Sequence, residues 1–88
     1  MTYLIEWESN SAEEISNLPK EIALRIYNKI EEASNNPDHF LEKLEGIPEF
    51  KIRIGDYRAI LLWDQASKKL KIQTIGHRKN IYKRYKTT

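Results

Sequence analysis

Eighty-eight residues bound the chain to one domain, 1–88, with one modest core. Forty percent hydrophobic and 32% charged residues describe a globular protein rather than a disordered one. No window approaches the roughly 18 continuous apolar residues of a membrane span, and the absence of cysteine excludes disulfide and thiol chemistry. The opening "MTYLIEWE" lacks the basic-then-apolar run of a secretory signal, so the expectation is a cytoplasmic protein.

The net charge is only +2, but it is unevenly spread. Residues 1–50 carry four Lys/Arg against eleven Asp/Glu, whereas residues 51–88 carry eleven Lys/Arg against Asp56 and Asp64 alone. Such a division points to a polyanionic partner, or else to two solvated surfaces of opposite sign.

In chain order, "YLIEWE" places Tyr3, Ile5 and Trp7 on one side, a period of two that predicts a strand over about residues 2–8. Ser11 with Glu14 reads as an S-x-x-E capping box opening a helix through Ala12, Ile15 and Leu18, which Pro19 cuts short. A second helix is expected from Lys20 to Ser34, with Ile22, Ile26 and Ile30 as its core stripe, widened by Ala23, Tyr27 and Ala33. "NNPD" ends it, because the residue before a proline avoids helical dihedrals. Residues 38–49 form a connection with scope for a helical turn through Leu41 and Leu44, and Gly46 and Pro48 mark a bend.

The remainder reads as a three-stranded meander, Phe50–Ile54, Tyr57–Trp63 and Leu70–Ile75. Gly55 and Asp56 alone separate the first two strands, and a two-residue loop with glycine first fits a type II′ turn. That turn sets Ile54 opposite Tyr57, Arg53 opposite Arg58 and Ile52 opposite Ala59. If Trp63 pairs with Leu70, Leu61 meets Ile72, and Arg58 neighbours Ile75. The expected architecture is α+β, βααβββ, with two N-terminal helices packed on one face of an antiparallel sheet. A short basic C-terminal helix or tail, "HRKNIYKRYKTT", follows.

Alternation then puts Phe50, Ile52, Ile54, Tyr57, Ala59 and Leu61 under the helices, and Lys51, Arg53 and Arg58 on the open face. Like charges directly opposite one another destabilise a sheet, and no carboxylate of the hairpin lies on that face. A bound phosphate would offset the crowding, since it suits arginine's planar fork of donors. The bland alternative is that the arginines bend away to acids such as Glu45 or Glu49. Gly76 allows an abrupt turn that would present His77 and Arg78 at the rim of the basic face. Tyr82 could stack on a nucleobase while Tyr85 packs in the fold.

The segments "LPKEIALRIYNKI", "NNPDHFLEKLEGIPEFKIRIGDYRAILLW" and "IGHRKNIY" together resemble the RelE toxins of bacterial and archaeal toxin–antitoxin pairs, within the superfamily that includes ParE. The most specific parts are L-x-G before the hairpin, K-I-R-I-G-D-Y-R within it and G-H-R-x-x-x-Y after the last strand. The resemblance implies a RelE-like, microbial-RNase-like fold and an endoribonuclease that cuts messenger RNA in the ribosomal A site. It implies no metal and no cofactor, a cognate RelB-like antitoxin as partner alongside the ribosome and its mRNA, and a toxin monomeric when free. The residues it matches are Lys51, Arg53, Arg58, Arg78 and Tyr82. Together with the basic face and tail they give the candidate catalytic set Lys51, Arg58, Arg78, His77 and Tyr82, with Arg53, Lys79, Lys83 and Arg84 holding RNA phosphates; His77 departs from the basic residue some relatives carry there. Lys51 is the candidate base and Arg78 the candidate acid, with His77 the chemically easier donor. Two rival readings stand beside it: a ParE-like gyrase inhibitor without nuclease activity, and a non-catalytic RNA-binding module. The latter would show a steep salt dependence and no cut ends.

Overall fold

A computed structural model describes residues 2–81. The expectations for Tyr82, Lys83, Arg84 and Tyr85 lie outside the described residues. The alternating N-terminal segment forms β1 (Leu4–Trp7), followed by α1 (Ser9–Ser16) and α2 (Lys20–Asn35). Pro37 opens a single turn, α3 (Pro37–Phe40), and a two-residue strand, β2 (Glu42–Lys43), leads through a bend at Gly46 (φ +81°) to the meander. The meander strands are β3 (Phe50–Ile54), β4 (Tyr57–Asp64) and β5 (Lys69–His77), and α4 (Arg78–Ile81) closes the described chain.

The five strands lie in the order β1-β5-β4-β3-β2. β1 runs parallel to β5, with Leu4 opposite Lys69 and Trp7 opposite Ile72, so the sheet is mixed rather than wholly antiparallel. A parallel pair needs a long connection, and the two helices and the hairpin between β1 and β5 supply it. β2 adds an edge strand where a plain connection was expected, with Glu42 opposite Lys51.

The isoleucine stripe packs as its spacing predicts. Ile26, Ile30 and Ala33 of α2 are fully buried against Ile52, Ile54, Ala59, Leu61, Leu70, Ile72 and Ile75. Ile22 and Ala23 are partly buried on the same core, while Tyr27 is exposed and meets Trp7 edge-on at 5.1 Å. Burial of this many branched side chains, at about 25 cal/mol per Å² of apolar surface, is the dominant favourable term for a chain without cross-links.

The capping box is not used as one. The N-cap of α1 is Glu8, three residues before Ser11, and Ser11 is fully buried inside the helix. Its hydroxyl lies 2.6 Å from the carbonyl of Ile72 and 2.9 Å from that of Glu8. Glu14 faces β5 rather than its own helix terminus. Tertiary partners have taken both side chains from the local motif.

The β4–β5 pairing starts as expected, Trp63 with Leu70 and Leu61 with Ile72, but then shifts. Ile60 pairs with Thr74, Ala59 with Ile75, Arg58 with Gly76 and Tyr57 with His77. Gln73 is therefore an extra residue, a β-bulge, and the expected neighbour of Arg58, Ile75, is replaced by Gly76. The physical reason is burial: a one-residue slip exchanges the faces of all that follows, and only the bulged register turns Ile75 into the core.

Candidate functional site

The hairpin turn organises this end of the sheet. Gly55 has φ +59° and Asp56 does not share the left-handed region, which is the pattern of a type II′ turn. Arg53 faces Arg58 across it, in the register that the turn length requires. Arg58 is only 7% exposed, and its guanidinium curls back over the turn. Nη1 donates to the carbonyl oxygens of Gly55 and Tyr57, both at 2.8 Å. The intervening carbonyl, that of Asp56, accepts the backbone N–H of Arg78 at 2.8 Å. Three successive carbonyls of the turn thus hold one arginine from the hairpin and one from beyond β5. The Arg78 side chain adds a contact of 3.7 Å from Nε to the Asp56 carboxylate.

The Arg53 side chain is exposed and makes no ion pair or hydrogen bond among the described residues. Lys51 lies on the same face, 3.7 Å from the carboxylate of Glu42. The hairpin itself puts no carboxylate on this face, but β2, which no sequence pattern announced, brings Glu42 to it. A two-residue strand carries too little pattern to be seen in sequence, so Glu42 was missed. The arginines do not turn to Glu45 or Glu49; Arg58 is bound by backbone instead.

Gly76 sits beside Arg58, and α4 crosses above it, with Ile81 3.6 Å from where a Cβ on Gly76 would stand. The face expected to be open is therefore covered at this point, and Ile60 and Ile81 are fully buried there. His77 is placed differently from its expected position at the rim. It pairs with Tyr57, whose ring it meets edge-on at 5.5 Å, on the helix side of the sheet. Its Nδ1 accepts the backbone N–H of Lys79 at 3.2 Å. The structure thus brings Arg58 and Arg78 together at the turn, with Arg53 and Lys51 on the same face. His77 stands on the other face, and Lys79 is exposed on α4. Tyr82, Lys83 and Arg84 lie outside the described residues.

Two more lysines share the basic face at its far end. Lys69 pairs with Asp64 and Lys71 with Leu62, and each lysine has an acid nearby, Glu6 at 3.5 Å and Asp64 at 3.9 Å. The alternation of Lys69 and Lys71 with Leu70 and Ile72 was the signal for them. A hydrogen bond from the Ser67 backbone, with Lys71 as a lesser cause, holds the Asp64 carboxyl below its ordinary range.

The model of the ParE toxin family of type II toxin–antitoxin systems (parDE) matches residues 5–82. No curated protein matches the chain significantly in sequence. Among solved structures, the chain is similar to the toxin–antitoxin complex RelBE2 from Mycobacterium tuberculosis, at 20% identity and a TM-score of 0.79, covering 89% of this chain and 100% of that one. An arginine-substituted RelE toxin of E. coli in the free state is 18% identical, with a TM-score of 0.79, over 93% of this chain and 90% of that one. The archaeal RelE–RelB complex from Pyrococcus horikoshii is 26% identical, with a TM-score of 0.75, over 91% and 99%. No described helix is long and apolar enough to cross a membrane. With a family model covering most of its length and the RelE fold in full, the chain belongs to the RelE/ParE superfamily of toxins of type II toxin–antitoxin systems.

Proposed function

We propose that this toxin is a ribosome-dependent endoribonuclease that cuts messenger RNA in the ribosomal A site and so stops translation. The observation that carries the reading is the meeting of Arg78 and Arg58 on successive carbonyls of one turn, with Arg53 beside them. Cleavage without a metal asks the 2′-hydroxyl to lose its proton and attack the adjacent phosphorus. The P–O2′ bond forms and the P–O5′ bond breaks, leaving a cyclic phosphate and a 5′-hydroxyl. The extra negative charge on the phosphoryl oxygens is met by Arg58, a cation held on the turn carbonyls before the reaction begins, and by the exposed Arg53 beside it. The Glu42 carboxylate of the Lys51–Glu42 pair takes the 2′-proton, and the departing 5′-oxygen, hydrogen-bonded by Arg78, takes a proton from solvent water to become the 5′-hydroxyl, with Tyr82 orienting the base. Free RNA is a poor substrate for such a set; the ribosome supplies orientation, which alone can lower a barrier by several kcal/mol.

A RelB-like antitoxin is the partner. The relatives from M. tuberculosis and P. horikoshii were crystallised as complexes with theirs, and an acidic segment complements the basic face. A second reading, inhibition of gyrase without nuclease activity, is favoured by the ParE family match.

The test is antitoxin-free protein in a translating ribosome mixture, with mRNA 3′ ends mapped at nucleotide resolution and ribosome-free RNA and Arg58→Ala as controls. Cuts inside the A-site codon, seen only with ribosomes and lost in the variant, are expected. Intact mRNA from folded protein, together with inhibition of gyrase supercoiling, would establish the second reading instead.

A further inference from the structure

β5 is bordered by two different kinds of neighbour. Up to Ile72 it pairs with β1; beyond that point β1 has ended, and α1 stands at the strand's edge. Polar groups of α1 and its N-cap take over the hydrogen bonds that a strand would make. The Glu8 N–H and the Ser11 hydroxyl reach the carbonyl of Ile72, and Asn10 Nδ2 reaches that of Gln73 at 3.4 Å. Glu14 Oε1 accepts both the Ile75 N–H at 2.8 Å and the Thr74 hydroxyl at 2.7 Å. These two residues directly follow the extra residue of the bulge.

We propose that Glu14 is a positioning residue for the reaction, acting through the bulge; this rests on the ribonuclease reading above. Without the bulge, the pairing of Leu61 with Ile72 would run on to put Arg58 beside Ile75. Arg78 would overshoot the turn by one residue, a displacement of about 3.3 Å along the strand. Its amide would miss the Asp56 carbonyl, and Gly76 would leave its place beneath Ile81. Ile75 N–H and Thr74 Oγ1 are groups whose placement differs between the two registers, and one carboxylate oxygen holds both. Glu14 reaches across about sixty residues of sequence to do so. Burial of Ile75 selects the bulged register, and Glu14 narrows the position of the strand within it.

The test compares wild type, Glu14→Ala, Glu14→Gln and Thr74→Val in single-turnover cleavage on programmed ribosomes, with amide hydrogen exchange at Arg78 read by NMR. Because misplacement by 1 Å can cost about 100-fold, Glu14→Ala is expected to cut at least about tenfold more slowly at saturation. Its half-saturating ribosome concentration should stay within about twofold, since the exposed cations remain, and the Arg78 amide should exchange faster. Glu14→Gln keeps an acceptor oxygen and should recover most of the rate. A folded Glu14→Ala with wild-type cleavage, or a glutamine variant as slow as the alanine one, would overturn the proposal. If Glu14→Ala does not fold, Thr74→Val removes the hydroxyl partner alone: a slower cut at unchanged half-saturation supports the proposal, and an unchanged rate overturns it. If wild type cuts nothing on ribosomes, the ribonuclease reading fails by itself. The exchange measurement then decides the inference: faster exchange at Arg78 in Glu14→Ala sustains the coupling, and unchanged exchange ends it.

Discussion

Replacing Arg53 should raise stability while lowering activity, because the side chain that crowds the hairpin is also one that meets phosphate. Arg53 stands directly opposite Arg58, so the Cβ atoms lie about 5 Å apart. Arg58 curls back over Gly55 and Tyr57 while Arg53 is exposed, so we take the spacing of diagonal neighbours in a sheet, about 7 Å, as the working charge separation. Coulomb's law then gives a repulsion of about 0.6 kcal/mol in water and about 2.4 kcal/mol at an effective dielectric of 20. Exposure of Arg53 places the pair near the lower figure, within the roughly 0.2–1 kcal/mol range of cross-strand pairs. Arg53→Gln should therefore raise the melting temperature by about 2–6 °C in a chain of this size. Calorimetry at low salt reads the gain, and it should shrink in 1 M salt, where the screening length is about 3 Å. The same variant should cut ribosome-bound mRNA at least about tenfold more slowly, one lost charge-assisted contact in the transition state. An unchanged or lowered melting temperature at low salt, or a gain indifferent to salt, would refute the repulsion argument.

Gly55→Ala forces a Cβ onto a residue at φ +59° and should destabilise by roughly 1–2 kcal/mol in urea titration. The new Cβ would lie 3.4 Å from Arg25 Nη1, an ordinary contact, so the backbone conformation rather than collision sets the effect. Ser11→Ala removes a fully buried hydroxyl and leaves part of the Ile72 carbonyl's bonding capacity unused, at a cost of roughly 1 kcal/mol, with faster amide exchange around Gln73. Asp64 titrates below its ordinary range in the folded chain, so its stabilisation of the β4–β5 turn is present above the ordinary carboxylate pKa and is lost as pH falls through the depressed folded value. NMR titration should show that depression, and Asp64→Asn should flatten the acid limb of the melting curve.

The hairpin was readable because its determinants are adjacent. A two-residue glycine turn fixes register, and register fixes which side chains share a face. The helix stripe of Ile22, Ile26 and Ile30 was readable for the same reason: its period is local. The failures share one cause: partners set by the fold rather than by a local pattern. Ser11 and Glu14 match a capping box, yet the groups that bind them are Ile72, Thr74 and Ile75. β2 exists because β3 offers it an edge, and two residues cannot announce that. The bulge did leave a trace, since apolar residues fall at 70, 72 and then 75, a break in the period of two. Followed through, that break would have put Gly76 beside Arg58 and sent His77 to the helix side.

The crowding of Lys51, Arg53 and Arg58 has a more particular answer than a waiting phosphate. A carboxylate beside Arg58 would fix it in place and cancel its charge. Carbonyl oxygens fix it equally well through their dipoles and carry no net charge, so the guanidinium is held while its field persists beyond the surface. The one acid in the turn, Asp56, gives its carbonyl to the Arg78 backbone, and its carboxylate stands 3.7 Å from Arg78 Nε, too far for a close bidentate pair. Among the described residues, Lys51 alone of the hairpin cations is matched to a carboxylate, and it belongs to the pair proposed to move a proton. Anchoring by backbone and neutralisation by side chain are thus separated along one hairpin, Arg58 on β4 near the turn and Lys51 on β3 away from it. Repulsion between Arg53 and Arg58 is the energetic consequence of keeping that end positive, and it is modest because only one of the two side chains is out of water.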